Sequence, residues 1–68
     1  MTDHVYKTIK VTGSSAKSIE DAVTKAITKA SETLHGLRWF EVCGIRGSVE
    51  DGAPVWQVTV EIGFTLED

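Results

Sequence analysis

Val55-Trp56-Gln57-Val58-Thr59-Val60-Glu61-Ile62-Gly63-Phe64 carries a bulky apolar residue at every even position. Side chains of a strand point to opposite faces in turn, so Trp56, Val58, Val60, Ile62 and Phe64, with Leu66 beyond them, define a core face. Gln57, Thr59, Glu61 and Gly63 then face away, as does Val55. Upstream lies a second β-rich run, Leu37-Arg38-Trp39-Phe40-Glu41-Val42-Cys43-Gly44-Ile45-Arg46-Gly47. Phe40 and Val42 suit the same core, which sends Trp39, Glu41, Cys43 and Ile45 to the opposite face, beside Gln57 and Thr59. Trp39 is thus a large aromatic outside the one core that 68 residues can build. It calls for another subunit or a flat ligand.

The rest of the chain completes an α+β pattern. Val5 to Thr12 alternates and reads as a strand. Gly13-Ser14-Ser15 is expected to break it, with Ser14 or Ser15 capping a helix; Ser18, with Asp21 three residues on, is a second capping candidate. Ile19, Ala22, Val23, Ala26, Ile27, Ala30 and Leu34 recur at spacings of three and four, a single apolar stripe. His35-Gly36 is expected to end the helix, Gly36 supplying a positive φ. Glu50-Asp51-Gly52-Ala53-Pro54 reads as a hairpin loop. The order is β-α-β-β, one domain over 1–68. If the helix returns the chain, the first two strands run parallel and the third fits between them, antiparallel to both. The expected fold is a three-stranded antiparallel sheet packed on one helix.

Composition sets the bounds. A chain this short buries only about 60% of its unfolded surface, so small domains lean on disulfides, metals or oligomers. Cys43 is the single cysteine, which excludes an intrachain disulfide. His4, His35 and Cys43 show no metal-ligand spacing. Oligomerisation is the remaining device. The net charge is -3 and the basic residues are dispersed, which argues against a nucleic-acid partner. No apolar segment approaches the roughly 20 residues that span a bilayer. Met1-Thr2-Asp3-His4 lacks a signal-peptide pattern, and a cytoplasmic protein is expected.

Trp39-Phe40-Glu41-Val42, Ile45-Arg46-Gly47, Trp56-Gln57-Val58 and Glu61-Ile62-Gly63-Phe64 resemble, in their order and spacing, the bacterial dodecins. The resemblance extends to the Val5-Tyr6-Lys7 strand and the single helix. It implies a hollow homododecamer that binds flavin and is not an enzyme. It also implies pockets at two-fold interfaces, each holding two flavins between two symmetry-related Trp39 side chains. Trp39 would stack on the isoalloxazine, and the Gln57 amide would pair with its alternating N–H and C=O edge. Arg46 would contact either the ring or the phosphate. Archaeal dodecins carry acidic residues in the neighbourhood of Val42 to Gly47. An arginine there favours FMN over riboflavin or lumichrome; FAD fits if its adenylate leaves the pocket, and coenzyme A is a second ligand of some bacterial dodecins.

Each residue also has a plainer reading. Trp39 can glue subunits with no cofactor, Gln57 can be a solvated strand residue, and Arg46 a surface charge. Glu41 and Glu61 share a face but suit surface or interface charges, meeting Lys7 or Lys10. Gly13-Ser14-Ser15 lacks the lysine and spacing of a P-loop. Cys43 has no base placed beside it and reads as a small, partly buried thiol. With a turn near Asp51, Gln57 falls opposite Ile45, and Trp39 lies six residues further on, about 20 Å away at about 3.3 Å per residue. One flavin cannot span that within one hairpin, so a site using both residues must join different subunits or rely on bulges. Two functions stay open: flavin storage and sequestration without turnover, or a structural oligomer module without cofactor.

Overall fold

A computed structural model describes residues 3–66 of the chain; Met1 and Thr2, read above as part of a start without leader pattern, lie outside the described residues. The elements are β1 (Tyr6–Ser15), α1 (Ile19–Ser31), β2 (Leu37–Glu50) and β3 (Ala53–Thr65). The sheet order is β1-β3-β2, with β3 antiparallel to both neighbours. β3 is central, as its regular apolar face predicts.

The core is small. Val58, Val60 and Ile62 on β3 are buried against Ala22, Ala26 and Ala30 on α1, with Ile9, Val11, Ile19, Val23, Ile27, Leu34 and Leu37 packed around them. The alanines recur at i, i+4 and i+8, so one line of small side chains lets the helix sit close to the sheet. Gly13 shows how close: a Cβ there would collide with the Ala22 carbonyl oxygen. Gly13 therefore does not break β1, which continues to Ser15; it is the strand position over which the helix passes. The first strand is consequently longer than Val5 to Thr12.

The cap is Ser18, the second of the two sequence candidates. It has extended backbone, and its hydroxyl accepts a hydrogen bond from the Asp21 N–H at 3.0 Å. Ser14 and Ser15 belong to the strand. Ser15 Oγ donates to the Asp21 carboxylate at 2.6 Å and accepts from the Lys17 N–H at 2.9 Å, tying the strand end to the first helical turn. The helix stops at Ser31 with Glu32 as C-cap, earlier than His35-Gly36. Gly36 has its positive φ, 73°, at the entry to β2 instead, where its carbonyl accepts from the Thr65 N–H. The β2–β3 turn is tighter than the five-residue loop expected. Glu50 pairs with Ala53, and positive φ falls on Asp51 and Gly52.

The helix packs over β1 and β3, leaving the helix-side face of β2 beyond Leu37 largely uncovered. Phe40 and Val42 point to the expected face, yet they are 49% and 42% exposed. Leu66, expected in the core, is also exposed. The hairpin extends the protomer to 53 × 20 × 14 Å. Among the described residues no helix is long and apolar enough to cross a membrane.

Candidate functional site

Two irregularities in β2 decide what stands on the outer sheet face. The register steps from Leu37↔Phe64 to Trp39↔Gly63, and again from Val42↔Val60 to Gly44↔Thr59. Each step places two β2 residues against one on β3, the signature of a β-bulge. The first bulge absorbs Arg38 and lets Leu37 face the core while Trp39 faces outward. The second absorbs Cys43 and reverses the parity of everything after it.

Ile45 therefore moves to the helix side, opposite Val58, and Arg46 moves outward, opposite Gln57. Strict alternation from Trp39 puts Ile45 outside, which the bulge reverses; a turn centred on Asp51 puts it opposite Gln57, and the two-residue turn at Asp51-Gly52 shifts that pairing by one, to Arg46. Cys43, at the bulge, is exposed rather than partly buried, its Sγ 3.7 Å from the Glu41 carbonyl oxygen. The signal in the sequence is Gly44: a glycine inside a strand marks a bulge or a close approach. A Cβ at Gly44 would meet nothing within 4 Å, so close approach within the protomer is not the reason.

Trp39 stands at one end of the outer face. Its indole lies over Gly63, where an added methyl would run into Cε2, Cζ2 and Nε1. Tyr6 meets it edge-on, ring centroids 6.5 Å apart at 72°. Arg38 is tied down nearby, its Nε donating to Thr65 Oγ1 at 2.9 Å. The indole remains 41% exposed. An aromatic backed by main chain on one side and open on the other offers a stacking platform.

Arg46 and Gln57 stand at the other end. Arg46 Nε donates to Gln57 Oε1 at 2.8 Å. From Gly63, under Trp39, to Gln57 is six positions along β3, about 20 Å at about 3.3 Å per residue. The turn register brings Arg46 to Gln57, and the bulges do not bring either to Trp39. Between them lie Glu41 opposite Glu61, Lys10 opposite Glu61 on the other flank, and Thr12 bonded to Thr59 at 2.8 Å between hydroxyls. Lys10, not Lys7, is the lysine facing these carboxylates. No group of three or more His, Cys, Asp and Glu side chains suited to a metal occurs among the described residues.

Comparison with known proteins finds similarity over nearly the whole chain. The Dodecin family profile covers residues 5–67. A curated dodecin from Thermus thermophilus is 43% identical over 65 residues, 94% of each chain. The structure of dodecin from Streptomyces coelicolor superposes with a TM-score of 0.93 at 45% identity, covering 100% of this chain and 99% of that one. A more distant structure, described as a calcium chelating antigen and calcium dodecin from Mycobacterium tuberculosis, has a TM-score of 0.83 at 26% identity, covering 93% of this chain and 91% of that one. The chain belongs to the dodecin family.

Proposed function

We propose that this chain is a flavin storage and sequestration protein that binds without turnover, at interfaces between copies of itself in a homododecamer. FMN is the ligand to test first, followed by riboflavin and FAD, and then coenzyme A as a second ligand; a cytoplasmic location accompanies this reading. The observation that carries it is the division of the outer face. An open indole stands at one end and an amide–guanidinium pair at the other, six β3 positions apart. A ligand that needs both must take Trp39 from one copy and Gln57 from another, as the two-fold pockets of dodecins would provide.

The uncovered apolar side of β2 supports the assembly. Phe40, Val42 and Ile45 lie on the helix-side face, 49%, 42% and 52% exposed. Apolar surface contributes about 25 cal/mol per Å² when buried, so a second copy covering this stripe stabilises a protomer with little core of its own. Flavin held between two indoles would lose its excited state to electron transfer from the indole, which limits photochemistry and suits storage better than catalysis.

Titration of the purified protein with FMN tests the reading. Quenching of flavin emission on binding, with a light-scattering mass of twelve protomers, supports it. Trp39→Ala should weaken binding by about 1–3 kcal/mol per flavin, the range of base–aromatic stacking, and restore the emission. Protein that stays colourless in FMN returns the chain to the structural-module reading.

A further inference from the structure

Sequence alone leaves Arg46 between two roles, on the flavin ring or on its phosphate. The hydrogen bond to Gln57 points elsewhere. A guanidinium only donates, so the amide atom facing Arg46 Nε at 2.8 Å is the oxygen. That contact settles which way the amide lies: Oε1 towards β2, Nε2 away from it. Gln57 is the only glutamine in the chain, and there is no asparagine. This amide is therefore the sole side-chain group able to offer an acceptor and a pair of donors side by side in one plane.

We propose that Arg46 is a positioning residue, acting on the ligand through Gln57 by holding the amide in one orientation before the ligand arrives; this rests on the flavin reading above. Oε1 keeps a second lone pair and Nε2 both hydrogens, so the amide presents an acceptor and a donor in a defined order. That order matches an edge in which N–H and C=O alternate, as in the pyrimidine portion of an isoalloxazine. A free glutamine populates both amide orientations and several rotamers, and ordering it on binding lowers affinity. The two-residue turn at Asp51-Gly52 sets Arg46 directly opposite Gln57, and opposed residues share a face; the Cys43 bulge lets that face be the one Trp39 occupies. The planar guanidinium matters as well as its charge, since it presents Nε–H in a fixed direction.

The consequence is a loss independent of the phosphate. Removing Arg46 should weaken FMN and riboflavin alike, by about three- to tenfold, the range for ordering one long side chain. A double-mutant cycle on the assembled protein, with light scattering as the control for assembly, separates the roles. If Arg46 works through Gln57, Arg46→Ala costs nothing further in a Gln57→Ala background. Additive losses overturn the proposal. Arg46→Lys keeps the charge but loses the fixed Nε–H; it should behave like Arg46→Ala for both flavins, and FMN affinity retained in the lysine variant overturns the proposal in favour of phosphate binding. A third readout needs no ligand. With side-chain ¹⁵N-glutamine labelling the protein shows one amide group, and its order parameter should fall in Arg46→Ala; unchanged order overturns the proposal. Failure of the parent protein to bind either flavin is a different result, which removes the functional reading and this inference with it.

Discussion

Trp39 lies over Gly63, its cross-strand partner, in the space that any larger side chain at position 63 would fill. The glycine is buried by the indole. An aromatic laid across a strand glycine shields exposed backbone and gains a well-defined seat. Here the seat also sets the plane of the indole, with one face on the main chain and the other open.

Gly63→Ala should therefore act on Trp39 rather than on β3. The methyl cannot coexist with the present ring position, and β3 tolerates alanine in extended backbone. The indole must lift or rotate. The expected result is weaker FMN binding, by up to the roughly 1–3 kcal/mol of a stacking contact, with partial recovery of flavin emission. Unchanged binding and quenching would show that the seat on Gly63 does not orient the platform.

Charge on the uncovered stripe of β2 should break the assembly. Val42→Asp and Ile45→Lys place ions on the helix-side face, where a partner subunit would strip them of water. The lone protomer leaves both positions about half exposed and should tolerate the change. Light scattering should report a smaller species for each variant; full-size particles would remove this stripe from the interface.

Gly13→Ala tests the closeness of helix and sheet. Its Cβ would meet the Ala22 carbonyl oxygen, which belongs to the helix backbone and cannot swing aside. Overpacking of this kind costs about 1–3 kcal/mol. A lowered unfolding temperature with retained β-sheet circular dichroism is expected, and an unchanged one would mean that α1 shifts at no cost.

Acid should weaken the start of the helix. The hydroxyl of Ser15, and secondarily the ammonium of Lys25 at 3.2 Å, hold the Asp21 carboxyl below its ordinary value of 3.8. A folded-state value below the unfolded one means that the contribution to stability is present in full above the unfolded value and is lost as pH falls through the folded one. Thermal unfolding followed from neutral pH to about pH 2.5 should decline less steeply at the acid end in Asp21→Asn than in the parent. Parallel curves would assign the acid response to other carboxylates.

Much of the fold is legible in short-range pattern. The even positions of β3 name its buried face, and Val58, Val60 and Ile62 are there. The stripe from Ile19 to Leu34 names the face of α1. The β-α-β-β order leaves few ways to pair three strands, and the observed β1-β3-β2 sheet is the one inferred from the central strand's regularity. These features depend on periods of 2 and 3.6 residues, which neighbouring residues determine by themselves.

The tertiary structure decided what those periods cannot carry. Two bulges in β2 interrupt the period of 2, and the second puts Arg46 on the same face as Trp39 and Ile45 on the other, while the two-residue turn sets Arg46 opposite Gln57. Gly44 hints at a bulge, but only pairing with β3 shows which residue is extra, because register is a property of two strands. The helix likewise stops short of β2, so Phe40 and Val42 take the expected face without becoming buried. Local sequence chooses the face of a side chain as long as the ladder is regular. Whether that face meets a helix, solvent or another copy of the chain depends on where elements far apart in sequence come to lie.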